Sequence, residues 1–352
     1  MRSPHLYSQT CQQRKPRVQI FCESICMLKI ALRFPLFTST FQSTIDSSNL
    51  HQTKKMAHTV AFYHPFCLSG GGGERVLWCL IEKLIKMTDS DRILNITIYS
   101  STPSPPLAKL SQILLRSFNL TINFTPPTIN LAFIAVPEAQ VLLSNTSYPR
   151  FTMIGQSIGS IKLLNRALAT QAKTSVSFPD VYIDTTGAIF TLLAIKFYHR
   201  FKLPKHLRKP LLLSAYVHYP TVSTDMLRVQ KSPVKFLYYI FFAVLYGIVG
   251  SLCHVVMVNS NWTKNHIQSL WIFTRVKPQV LFPPCEVSGF MAAKGKEVKR
   301  RDVGLMISIA QFRPEKNHKL QISAFAKLIE KTEGRILTRY PCLTLALIGS
   351  CR

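Results

Sequence analysis

Residues Thr59–Lys86 read TVAFYHPFCLSGGGGERVLWCLIEKLIK, and the three parts of this stretch decide the fold. Thr59–Tyr63 is short, apolar and built from β-branched and aromatic side chains, the composition of a buried strand. His64–Gly73 interrupts it with Pro65 and the run Gly70–Gly73. From Glu74 to Lys86 the residues Val76, Leu77, Leu80, Ile81, Leu84 and Ile85 recur at helical spacing. Strand, glycine loop and helix in that order form the opening unit of a parallel α/β sheet.

Outward from this unit the alternation continues. Ile93–Tyr99 resumes the β-rich pattern after polar Thr88–Asp91. Asp180–Asp184, Leu211–Val217 and Val255–Asn259 read as further strands, the last followed by a helix from Trp262 to Trp271. Phe282-Pro283-Pro284 is a natural joint, because proline cannot donate to a central ladder. Beyond it lie the charged stretch Lys294–Asp302, strand Leu305–Ala310, loop Gln311–Asn317, helix His318–Glu330 and strand Leu343–Ile348. Two strands after the joint are fewer than a doubly wound domain usually has, so the second domain reads as cut off.

The 352 residues are 47% hydrophobic, ample for buried cores, and carry a formal charge of +27. That balance favours anionic partners: nucleic acid, an acidic membrane surface or phosphate-bearing substrates. No nucleic-acid reading motif accompanies the charge, so nucleic acid is not expected as a partner. The nine cysteines include no C-x-x-C pair, which argues against a zinc site or disulfide framework and for a reducing compartment. The five N-x-S/T sequons, at Asn95, Asn119, Asn123, Asn145 and Asn261, carry no meaning on a cytosolic surface.

Two segments bear on membranes. Residues 1–57 form a basic extension, expected to be poorly ordered; its apolar run Val18–Phe37 is broken by Glu23, Lys29 and Arg33. Phe236–Val258 runs 23 residues with His254 as its one group that can charge near neutral pH. Three readings fit it: docking on the interface through its aromatic side chains, a buried core element, or a span. The basic run Lys202–Lys209 reads as a solvated loop or a lipid contact.

Three constellations could carry chemistry. Gly70-Gly71-Gly72-Gly73-Glu74-Arg75 lets backbone approach an oxyanion at a helix start, where free N–H groups and the dipole favour negative charge. It matches neither G-x-G-x-x-G nor a Walker loop, and a plain connector is the bland alternative. Gln311–His318 again joins a strand to a helix. There Arg313 can fork onto two phosphate oxygens and Lys316 adds a point charge, as a diphosphate leaving group requires; an ordinary charged loop is the alternative. His218 ends a strand and would point into the crevice, as a sugar or reacting-group contact or as a structural residue. Asp184 is a candidate substrate-binding carboxylate, equally credible with Asp180 as a cap or turn residue. Asp89-Ser90-Asp91 matches a metal-binding D-x-D, but it follows a helix and precedes a strand, so it reads as a turn.

Six stretches in this order resemble one family: FYHPFCLSGGGGERVLW (Phe62–Trp78), GQSIGS (Gly155–Ser160), PDVYID (Pro179–Asp184), YVHYPTVSTDML (Tyr216–Leu227), VMVNSNW (Val256–Trp262) and IAQFRPEKNH (Ile309–His318). They are similar to the GDP-mannose:dolichyl-diphosphate-oligosaccharide α-1,2-mannosyltransferases of glycosyltransferase family 4. The resemblance covers about residues 58–352 and implies an α/β fold of two Rossmann-like domains of GT-B type. Residues 58–284 would take the lipid-linked acceptor and 285–352 would begin the GDP-mannose domain, incomplete in this chain. It implies that Gly71, Gly72 and Gly73 line the cleft near the reacting sugar, that His218 contacts the donor mannose, and that Arg313 and Lys316 grip the diphosphate. Catalytic roles thus fall on His218, Gly72 and Gly73, and substrate binding on Gly70, Gly71, Arg313, Lys316 and Asp184. The reaction would retain configuration with neither metal nor cofactor, at the cytosolic face of the endoplasmic reticulum membrane. Segment 236–258 would rest on or in that bilayer, with other mannosyltransferases of the pathway as further partners. The resemblance also implies a longer protein: a two-glutamate donor motif would follow Arg352, and Met56 stands directly before the matching region. A catalytically inactive fragment that binds membrane and acceptor is the alternative.

Overall fold

The computed structural model describes residues 57–89, 92–124, 128–285, 287, 303–312 and 316–349. Contacts divide the chain into two compact units, parting between residues 286 and 287.

The first unit opens with β1 (Ala57–Tyr63), α1 (Gly72–Met87), β2 (Ile93–Ser100), α2 (Leu107–Phe118) and β3 (Ile129–Ala135). Then come α3 (Ala139–Leu143), α4 (Thr152–Gln171), β4 (Val181–Asp184) and α5 (Thr191–Phe197), which runs into a π-helical turn over Tyr198–Lys202. The unit closes with β5 (Leu212–Val217), α6 (Thr224–Val229), α7 (Pro233–Gly250), β6 (Val255–Val258), α8 (Asn261–Leu270) and β7 (Gln279–Val280). The seven strands form one parallel sheet in the order β3-β2-β1-β4-β5-β6-β7. Chain order reverses between β1 and β4, so the topological switch point lies where those strands end.

Period-two alternation along β1 feeds two cores. Val60 and Phe62 pack on one face with Val76, Leu77 and Leu80 of α1 and Leu110 and Leu114 of α2. Ala61 and Tyr63 pack on the other with Leu163 and Leu164 of α4, Leu192 and Ile195 of α5, and Phe242 and Tyr246 of α7. With both faces covered, the strands are apolar throughout, which is why they read as continuous runs in the sequence.

Two expectations shift. The helix placed from Glu74 begins at Gly72, because Gly71 takes the extended N-cap conformation (φ −91, ψ 176) and its carbonyl accepts from Arg75 N at 3.1 Å. Gly72 and Gly73 are therefore first-turn residues with N–H groups free of intrahelical bonds. The apolar run 236–258 is two elements: α7 ends at Gly250, and Val255–Val258 is β6, paired with β5. The strand read at Val255–Asn259 is thus present as β6, and the helical part of the apolar run is confined to the residues before 251.

The second unit contains β8 (Leu305–Ile309), α9 (His318–Lys331), α10 (Arg335–Arg339) and β9 (Thr344–Ile348), with β8 and β9 parallel and in register from Leu305↔Thr344 to Ile309↔Ile348. Its described side chains are at most half-buried for the most part; Ile309 is 81% exposed.

Candidate active site

At the carboxyl edge of the sheet, β1, β4 and β5 are each followed by a polar residue: His64, Thr185 and His218. Register sets His64 beside Thr185, since Tyr63 pairs with Asp184 and Asp184 with Ala215. β5 runs two residues further, and His218 joins the row through its bond to Thr185. Helix α1 begins directly above this row.

His64 is held on both sides. Thr185 Oγ1 donates to the Tyr63 carbonyl at 2.9 Å, which uses its one proton; His64 Nδ1, 2.7 Å away, must then donate to Thr185 Oγ1. The opposite nitrogen, Nε2, lies 3.8 Å from the Glu74 carboxylate in the first turn of α1, and both side chains are buried. His218 is the next member. Its ring bonds the Thr185 backbone carbonyl, Tyr216 packs edge-on against it at 4.7 Å, and its Nε2 is buried without a protein partner. Burial, and after it the nearby His64, lower the His218 pKa to about 4, while Glu74 and the Thr185 carbonyl pull the other way without overcoming burial. At neutral pH His218 is thus an uncharged imidazole, with Nε2 left to accept a hydrogen bond.

Nε2 faces the glycine run. A Cβ on Gly73 would stand 3.2 Å from it, whereas one on Gly72 would meet nothing within 4 Å. Gly70 has φ +77, a left-handed conformation that glycine adopts at no steric cost. Gly71 caps the helix through its backbone alone. The loop ahead of them is fixed by Trp78, whose indole N–H donates to the Cys67 carbonyl at 2.8 Å. Arg75 of the same motif turns away from the crevice. Its guanidinium donates to the Pro284 carbonyl at 3.1 Å and to the carbonyl of Phe118 at the end of α2, so it braces the exit of the chain from the sheet.

Asp184 is a correction to the sequence reading of a substrate-binding carboxylate. It is fully buried, and its oxygens accept from Thr186 N at 2.9 Å, Thr186 Oγ1 at 2.7 Å, Gly187 N at 3.2 Å and the Thr191 hydroxyl. These come from the loop after β4 and the first residue of α5, so Asp184 ties that loop to the helix start and presents Thr185. Burial still raises its pKa despite the four bonds.

The structure thus brings together Gly70, Gly71, Gly72, Gly73 and His218. Lys316 lies exposed in the other unit just before α9, its carbonyl accepting from Gln321 Nε2 at 3.0 Å, and Asn317 caps that helix through its side chain. Arg313 lies outside the described residues, as do Ser90 and Asp91 of the D-x-D match. Sequence reasoning gave no role to His64, Glu74 or Thr185; the signal for the first and last was their place one residue past a buried strand. It also passed over an aromatic pair at the same edge, Tyr219 after β5 and Trp262 at the start of α8, stacked at 5.2 Å and partly exposed. Among the described residues no three His, Cys, Asp or Glu side chains are grouped to hold a metal ion.

Comparison with known proteins adds to this geometry. The family description "ALG11 mannosyltransferase N-terminus" matches residues 57–271. The chain is 39% identical over 346 residues to the GDP-Man:Man(3)GlcNAc(2)-PP-Dol alpha-1,2-mannosyltransferase of Homo sapiens, covering 93% of this chain and 64% of the relative. The protein of the same name from Mus musculus is 38% identical, covering 83% of this chain and 57% of its own length. That from Dictyostelium discoideum is 33% identical, with 84% and 57% covered. The chain therefore spans about three fifths of the length of these curated relatives.

Proposed function

The chain belongs to the ALG11 mannosyltransferase family, and from that premise we propose that it is a retaining α-1,2-mannosyltransferase. It moves mannose from GDP-mannose to the Man3GlcNAc2 and Man4GlcNAc2 oligosaccharides on dolichyl diphosphate. The observation that carries this reading is the pairing of His218 Nε2, buried and unpartnered, with the first turn of α1 at the topological switch point. A neutral imidazole accepts from a sugar hydroxyl, and the free N–H groups of Gly72 and Gly73 with the positive end of α1 favour the negative charge that grows as the glycosidic bond breaks. His64, clamped between Thr185 and Glu74, keeps the row in place. Arg313 and Lys316 take the diphosphate of the donor, so that departing charge is met by side chains and no metal ion takes part. The work is done at the cytosolic face of the endoplasmic reticulum membrane. One side of α7 is apolar and exposed at Leu237, Phe241, Val244 and Ile248 and suits contact with that bilayer beside the dolichol chain.

The test is product analysis. Purified chain incubated with GDP-mannose and a lipid-diphosphate trimannosyl acceptor yields products heavier by one and two hexoses, and an α-1,2-specific mannosidase removes both. An acceptor that is bound but gains no mass refutes the transferase reading, and added hexose resistant to that mannosidase refutes the linkage.

A further inference from the structure

The segment that leads into the basic run Lys202–Lys209 lines a groove at the opposite end of the sheet from His218. The placement follows from the chain path. Helix α5 leaves the carboxyl end of β4 and, with its π-helical turn, runs twelve residues back along the sheet, about 18 Å at a helical rise. There His199 Nε2 meets the Lys209 carbonyl at 2.8 Å, and Lys209 pairs at 3.8 Å with Asp180, the residue before β4. The groove has a volume of about 660 Å³ and is apolar over most of its wall, lined by Leu193, Phe197, Phe201 and Leu252 among others, with Lys196 and Arg200 also in its wall. Single-turn π segments are rare and frequent at functional sites. This one sets the Phe197 and Phe201 rings 4.9 Å apart, 53% and 64% exposed, with the Arg200 guanidinium 5.5 Å from the Phe201 ring centre.

Charge narrows the occupant. From Thr185 to Thr224 the sequence has six Lys and Arg and no carboxylate. Helices α4, α5 and α7 share one core layer, so the groove opens on the same side of the sheet as the exposed apolar face of α7. An apolar surface rimmed by cations matches a bilayer interface carrying anionic lipid.

We propose that this groove seats one anionic phospholipid of the bilayer, an acyl chain against Leu193, Phe197 and Phe201 and the headgroup phosphate between Lys196 and Arg200. The site does not depend on the mannosyltransferase reading. Its distance from His218 sets it apart from the place where an acceptor's sugar would react.

Vesicle flotation of the full chain tests it. Wild type binds phosphatidylcholine vesicles containing one part in five phosphatidylinositol more tightly than phosphatidylcholine alone. The double substitution Lys196→Gln/Arg200→Gln lowers affinity for the anionic vesicles about tenfold or more and leaves neutral-vesicle binding unchanged. Phe197→Ser/Phe201→Ser lowers binding to both. Lys109→Gln/Arg116→Gln, the same charge change on α2 across the sheet, serves as the control and behaves as wild type, and circular dichroism shows all variants folded. Equal losses from the groove and control pairs overturn the proposal. So does binding through Lys196 and Arg200 only when neutral vesicles carry a polyprenyl diphosphate, which assigns the groove to that lipid. Unchanged flotation with loss of a co-purifying protein assigns it to a protein partner and likewise overturns the lipid site.

Discussion

His218 carries most of the chemistry argued for the site, and its charge state follows from packing. Tyr216 and the start of α1 exclude water from the ring, while Glu74, held on His64, does not offset the desolvation. The consequence for stability has a definite sign. In the unfolded chain the imidazole titrates at its ordinary 6.5, and in the folded chain at about 4. Between those values the unfolded state binds a proton that the folded state refuses, so this contribution is complete above 6.5 and is lost as pH falls toward 4. At pH 5 the loss is about 2 kcal/mol. Urea midpoints at pH 7 and pH 5 check it: wild type drops more than His218→Gln by an amount of that order, and equal drops contradict the assigned environment. The glycines separate at the same scale. Gly73→Ala forces the His218 ring to yield, and mannosyl transfer falls at least tenfold; Gly72→Ala, facing open space, stays within a few-fold of wild type. Initial rates for the two variants decide whether the run is a cradle or a connector.

Among the elements, the opening strand–loop–helix was legible because each part carries its own local signal: β-branched residues, a glycine break and an apolar stripe. The inner workings of the loop after β4 were not. PDVYID ends in a carboxylate that looks ligand-facing in one dimension, and only the fold shows Thr186, Gly187 and Thr191 wrapped around it. Asp184→Ala strands those donors in a buried place, and destabilisation by about 3 kcal/mol is expected in chemical denaturation. A loss under 1 kcal/mol would show that the loop holds without it. GQSIGS was equally opaque. It lies inside α4, whose start has no side-chain cap, and its small residues admit neighbouring chain: a Cβ on Gly159 would stand 2.0 Å from the Leu142 carbonyl oxygen. This stretch of the resemblance is a packing seam. The run 236–258 satisfies both a membrane-segment pattern and, at Val255–Asn259, a strand pattern, because burial in a sheet and exposure to lipid select the same side chains. The strand is the part that the fold bears out.

For the whole molecule, the parallel sheet with its switch point between β1 and β4 places one row of residues at one edge and leaves its two flanking layers unlike each other. The layer of α1 and α2 shows few large apolar side chains to solvent, chiefly Leu107 and Leu115. The layer of α4, α5 and α7 exposes many. Composition announced an anionic partner without saying where; the fold puts the apolar and basic surface on one side and His218 at the carboxyl edge. Lys316 stands just before the Asn317 cap of α9. The claim joining these scales is that His218 forms the reacting pocket of a mannosyltransferase. It is tested most directly by the rate of hexose transfer from GDP-mannose to a trimannosyl lipid acceptor, for wild type and His218→Ala, with both shown folded by circular dichroism. Wild type transfers and His218→Ala falls by about a hundredfold; equal rates in the two proteins, or no transfer by wild type, contradict it.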